Sequence, residues 1–176
     1  MAKLRKMLGK ADSPYIVSLV RLIETQSKQT LADWCLSYTE NYILPIFEKQ
    51  CPGDLRPRSA LAAARDWLAG KIKFNTVKQI ILNECHAAAR ELDGNPIAQA
   101  AARTCGQAAA VIHTPTHSLG MVFYGSAAIA YDRVGLEQTP EVYDSIAAEE
   151  CAKMETALRK IARPNEPNPA KINWNC

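Results

Sequence analysis

The chain has 176 residues, 48% of them apolar and 22% charged, with a formal net charge of +3. The first ten residues contribute +4, so the remaining 17 basic and 18 acidic side chains sum to −1; a body this balanced lacks the basic stripe with interleaved aromatics that marks a nucleic-acid binder. The 28 residues between Arg103 and Asp132 hold no charge, but Gln107, His113, Pro115, His117 and five Ser or Thr interrupt them, whereas a spanning helix needs about 20 consecutive apolar residues, so no membrane segment is expected.

Alanine-rich stretches bounded by capping signals predict an all-α chain of seven helices, with no alternating strand pattern. Ser13-Pro14 opens the first, with proline at the first helical position, and it runs to about Gln26. The second starts near Thr30, carries Leu31, Trp34, Cys35, Tyr38, Tyr42 and Phe47, and is expected to kink at Pro45. Cys51-Pro52-Gly53-Asp54 reads as a turn, after which Arg56-Pro57-Arg58 introduces a third helix from Ser59 to Ala69, stopped at Gly70. The fourth runs from Asn75 to Asp93-Gly94, and Asn95-Pro96 opens a fifth that reaches about Ile112. The sixth spans Thr116 to Val134 with Gly135 as its stop, and Thr139-Pro140-Glu141 opens the seventh, which ends before Pro164.

This pattern predicts a single helical domain over 1–163, large enough to bury roughly 70% of its unfolded surface. A proline-rich arm over 164–176 follows; its Trp174 could dock on the body or meet a partner, although fraying is the commoner fate of a terminus. The basic start, Met1 to Lys6, reads as a solvated tail with no apolar stretch of a secretion signal behind it. Six cysteines without a C-x-x-C pair fit a reducing compartment better than a disulfide framework, so a cytoplasmic location is expected, with Cys85, Cys105 and Cys151 as small core residues. Ala-Ala-Ala-Arg recurs at 62–65, 87–90 and 100–103, at spacings too unequal for a solenoid.

All three histidines fall within 32 residues. At 100° per residue the fourth helix buries Val77, Ile81, Cys85, Ala88 and Leu92, which puts His86 roughly opposite, on a polar strip with Gln79, Asn83 and Arg90. On the fifth helix Ala102, Gly106 and Ala109 form a shallow groove leading to His113, which is expected to be half-buried at a helix C-terminus where the dipole favours its protonated form. His117 opens the next helix, where the dipole favours the neutral form, and shares a face with Gly120, Met121, Tyr124, Ala128 and Tyr131. Two imidazoles four apart with a third on the preceding helix could hold a metal ion, but H-x₃-H is weakly specific and Pro115 disturbs the alignment. The nearest carboxylates in sequence, Glu84 and Glu91, lie beside the fourth helix's apolar face. No motif selects a Cys–His catalytic pair such as Cys105 with His113 or Cys85 with His117.

On these residues the chain resembles the immunity-protein-five-like group, a bacterial family linked to polymorphic-toxin systems. The resemblance rests on Asp54-Leu55-Arg56-Pro57-Arg58, Ala64-Arg65-Asp66-Trp67 with Gly70, His86-Ala87-Ala88-Ala89-Arg90, Ala101-Ala102-Arg103 with Gly106, and His113 with His117 and Gly120, over about residues 54–131. Members often carry histidine where this chain has Gln107, a departure that weakens any metal site relying on a fuller histidine set. The resemblance implies a helical cytosolic protein that protects its producer by occluding a cognate protein toxin, with no cofactor and no catalytic group; it leaves homo-oligomerisation open. On that reading Arg56, Arg58, His86, Arg90, His113 and His117 are the candidate binding residues, with the two arginines equally able to anchor the loop before the third helix. The alternative is a helical metal-binding protein or hydrolase with a site built from His86, His113 and His117.

Overall fold

In the computed structural model, which describes residues 4–174, seven helical rods form and no strand occurs among the described residues. The first rod is α1 (Pro14–Ile23), shorter than expected because Thr25 and Gln26 bond back into a turn. The second begins at Lys28, since Ser27 is the residue whose side chain accepts from the Thr30 amide. It comprises α2 (Lys28–Tyr38), a π-helical turn over Thr39–Ile43 and α3 (Leu44–Gln50). That turn is how the chain accommodates Pro45. Proline supplies no N–H and its ring crowds the carbonyl one turn back, so the backbone widens just before it and Leu44 N–H reaches back to the Thr39 carbonyl.

The third rod, α4 (Arg56–Leu68), takes Pro57 into its first turn instead of starting after it, and its exit is set by Gly70 at φ +73°. The fourth comprises α5 (Phe74–Ile80), a second π turn over Ile81–Cys85 and α6 (His86–Glu91). Then follow α7 (Pro96–Ala110), capped by the Asn95 side chain on the Ala98 amide, α8 (His117–Val134), and α9 (Pro140–Ile161).

The middle of the molecule is α7, packed most extensively on α8 and flanked by α4, α3, α6 and α2. Alanine makes this position available: Ala98, Ala101, Ala102, Ala108 and Ala109 are all fully buried, and small side chains let helix axes approach closely. Larger residues fill the space between α1, α2 and α9, where Leu19, Ile23, Leu31 and Trp34 are buried and Trp34 Nε1 donates to the Met154 carbonyl at 3.0 Å. Tyr131 belongs to the core, and its hydroxyl donates to the Arg5 carbonyl at 2.6 Å.

Both ends of the described chain are tied down. The basic N-terminal segment is not a free tail: Leu8 is buried, its amide donates to the Phe123 carbonyl, and Arg5 pairs with Asp144 at 2.8 Å. The proline-rich arm folds back on Gln26, which is buried and bonds Arg163 through both ends of its amide, while its carbonyl accepts from Ala170 N–H. Trp174 Nε1 donates to Glu24 at 2.7 Å, so the arm docks where fraying was the commoner expectation. Cys176, at its tip, lies outside the described residues.

Candidate functional site

The position of His86 is decided by the second π turn. A π turn takes up about one residue more than an α turn, which rotates everything after it by about 100° relative to an unbroken helix. His86 N–H bonds the Ile81 carbonyl across that turn. The rotation brings His86 from the predicted outer strip to the inner shoulder and buries Ala89 beside Ala88. The expectation that His86 stands on a solvated face is therefore corrected: its ring is half-buried and lies across α7 at Gly106, where a Cβ would come 2.7 Å from Cε1 and 2.9 Å from Nδ1.

A second glycine makes a second space. His117 Nδ1 donates to Gln107 Oε1 at 2.8 Å, which puts the ring proton on Nδ1 and leaves Nε2 as an acceptor. Gln107 lies against Gly120, where a Cβ would sit 2.7 Å from its amide carbon. Glycine in a helix interior costs about 0.5–1 kcal/mol relative to alanine. At Gly106 that cost admits His86 to the seam between α6 and α7, and at Gly120 it admits Gln107 to the seam between α7 and α8.

His113 lies in the turn between α7 and α8 and is exposed, not half-buried. Its ring is 6.1 Å from that of His117 and meets Phe74 edge-on at 5.0 Å; Phe74 in turn meets Trp67 at 6.0 Å. The expectation of a protonated His113 is also overturned. Partial desolvation lowers its pKa, and the neighbouring His117, Lys28 and Lys78 lower it further. Burial lowers His86 as well, assisted by Arg90 and His117, and burial alone lowers His117. All three rings are thus held neutral at pH 7. His117 acts on the His86 ring as well as on His113, so the three histidines stand within electrostatic reach of one another.

That cluster is not a coordination shell. Among the described residues no group of three His, Cys, Asp or Glu side chains is placed to hold a metal ion. Nδ1 of His117 is engaged by Gln107, and the His113 ring packs edge-on against Phe74. The alternative of a metal site built from His86, His113 and His117 finds no support in this arrangement. The thiols beside the cluster are equally quiet. Burial pushes Cys85 up to about 12 and Cys105 well above its usual range, far from the thiolate that nucleophilic chemistry requires.

The arginines have a different fate from the histidines. Arg56 holds Asp54 and Glu91, each at 2.8 Å, and the Arg56 guanidinium keeps both carboxyls below their usual range. Arg58 grips Glu48 with two nitrogens at 2.6 and 2.9 Å. Arg65 reaches Glu40, Asp33 and Ser37, tying α4 to α2. Arg90 is exposed and makes no ion pair among the described residues.

Sequence reasoning missed Phe74, Lys28 and Lys78. Phe74 carries no signal beyond its place at a helix start, and Lys28 reaches His113 only through the fold.

A family model described as Imm-5 like putative immunity protein matches residues 21–157. The chain belongs to this family. The match covers more than three-quarters of the sequence, wider than the 54–131 over which the resemblance was legible. It takes in every residue of the cluster together with Lys28 and Lys78, and leaves out the N-terminal segment and the C-terminal arm. Comparison with curated proteins and with solved structures gave no match. No helix among the described residues is long and apolar enough to cross a membrane.

Proposed function

We propose that this protein protects the bacterium that makes it by binding a cognate toxin of a polymorphic-toxin system in the cytoplasm and occluding it, without catalysis. The observation that carries this reading is the family match over residues 21–157. The chemistry of the cluster supports it: the imidazoles are held neutral, the adjacent thiols are held protonated, and Gln107 engages His117. Such groups recognise by shape and hydrogen bonding. Arg56 and Arg58, whose carboxylate partners lie within the chain, act on this reading mainly as scaffold, and the recognition residues are His86, Arg90, His113 and His117.

The test is co-expression with toxin domains of polymorphic-toxin systems from the producing bacterium, scored by growth, followed by size-exclusion chromatography of the two purified proteins. Restored growth together with a stoichiometric complex is expected, and its mass also gives the oligomeric state. Growth restored without any complex, or no protection at all, would contradict direct neutralisation.

A further inference from the structure

A cavity of about 740 Å³ opens between the end of α2 with its π turn, α8 and α9, a volume inside the roughly 300–1,000 Å³ of small-molecule sites. Tyr38, Tyr42, Ile129 and Ala152 line it, together with a ring of ion pairs. In that ring Arg133 and Lys153 each contact both Glu149 and Glu150, so two positive and two negative side chains close on one another.

Two polar atoms on residues of this wall have no partner in the chain. Tyr38 is 6% exposed and Glu150 is 3% exposed. Among the described residues the Tyr38 hydroxyl nevertheless makes no hydrogen bond, its ring meeting only Tyr42. Arg133 and Lys153 both bond the same oxygen of Glu150, Oε1, which leaves Oε2 without a donor. Buried polar groups are nearly always hydrogen-bonded, and one left open carries a desolvation cost. A ligand that supplies the missing bonds removes that cost.

We propose that this cavity binds a free, uncharged phenol of more than one ring, whose hydroxyl meets Glu150 Oε2 and the Tyr38 hydroxyl while its rings pack between Tyr42 and Ile129. The carboxylate oxygen only accepts, so the ligand must donate to it. Burial, assisted by the Glu150 carboxylate, keeps the Tyr38 hydroxyl protonated, so that group has a proton to give. A phenolic oxygen both donates and accepts and answers the two together. The aromatic wall suits a planar guest: the Tyr38 and Tyr42 rings stand 4.7 Å apart at 46°, and a third ring adds to such a pair edge-on or offset. Neutrality follows from the ion-pair ring, which is already balanced, so a charge brought into the cavity would be left uncompensated. Bulk decides between a free molecule and a tyrosine side chain of a partner protein. A cavity of roughly 150 Å³ holds benzene, and this one is several times larger.

The experiment titrates the full chain, without toxin, and follows the tyrosine ring signals by NMR. The probe is 2-naphthol, compared with 2-methoxynaphthalene, which keeps the ring system but lacks the O–H donor, and with N-acetyl-L-tyrosinamide, which stands for a partner's tyrosine. Saturable movement of the Tyr38 and Tyr42 signals by 2-naphthol is expected, with 2-methoxynaphthalene binding at least about fivefold more weakly. Tyr38→Phe removes a hydroxyl that bonds nothing in the free chain, so it should unfold with wild type and yet bind 2-naphthol about fivefold less tightly. Absence of saturable movement, equal affinity for the two naphthalenes, or undiminished binding in Tyr38→Phe would each overturn the proposal. Tighter binding of N-acetyl-L-tyrosinamide than of 2-naphthol would overturn it as well, by giving the cavity to a side chain of a protein partner.

Discussion

Two charged zones of this molecule are built on opposite plans. Along α4, Arg56, Arg58 and Arg65 are matched to Asp54, Glu91, Glu48, Glu40 and Asp33, so the zone is electrically closed and links α4 to α2, α3 and α6. At the histidine cluster, Lys28, Lys78 and Arg90 act on neutral imidazoles, and none of the three makes an ion pair among the described residues, so the zone is electrically open. A closed zone needs nothing from outside and holds helices together. Exposed cations outside such a network contribute little to the fold.

The contrast can be broken most forcefully on the closed side. Arg65→Ala strands half-buried Glu40 and Asp33 and should cost about 2 kcal/mol in urea unfolding, in line with loss of a charge-assisted network. A change below about 0.5 kcal/mol would place Arg65 among ordinary surface pairs.

Next in size is Gly106→Ala. A better helix former normally stabilises by up to about 1 kcal/mol, but here the new methyl meets the His86 ring, so a net loss of about 1 kcal/mol is expected from overpacking. Adding His86→Ala should recover that loss. Purely additive effects in the double-mutant cycle would show that Gly106 does not exist to admit His86.

Acid should separate the zones by pH. Because the folded imidazoles titrate below the unfolded value of about 6.5, the stability they contribute is present above that value and is lost as pH falls through their lowered folded values. Asp54 and Glu91, also lowered, contribute stability above about pH 4 and lose it as pH falls through their own folded values. Urea midpoints measured against pH should therefore show an upper step that shrinks in His113→Gln/His117→Gln, where only His86 remains to titrate, and a lower step that persists.

The smallest effect belongs to the open zone: Lys28→Ala or Lys78→Ala should change stability by no more than about 0.5 kcal/mol, in either direction. A larger loss would reveal an internal role and close the zone after all.

Much of this architecture is legible in the residues because its signals are local. Asn95-Pro96 caps and opens α7 as its side chain chemistry dictates, and Gly70 and Gly135, at φ +73° and +77°, stop their helices. The disturbance at Pro45 is legible too, though it takes the form of a π turn. What fails is phase. Nothing in Ile81–Cys85 announces a second π turn, so a uniform 100° step places His86 on the wrong face, and only the space at Gly106 on a different helix explains where the ring goes. The electrostatics of His113 fail for a related reason. A helix C-terminus favours the charged ring, but Lys28, 85 residues away in sequence, is brought beside it by tertiary packing. The three Ala-Ala-Ala-Arg segments make the same point. Arg65 joins an ion-pair network, Arg90 stays free of ion pairs, and Arg103 lies 5.7 Å above the Tyr124 ring.

The most direct measurement is growth rescue from the toxin by three chains: wild type, His113→Gln/His117→Gln, and Lys160→Glu, an exposed charge reversal on α9. Rescue by wild type and Lys160→Glu with loss of rescue in the folded double variant is the predicted result. Equal rescue by all three chains would contradict the claim that the histidine cluster carries recognition of the partner.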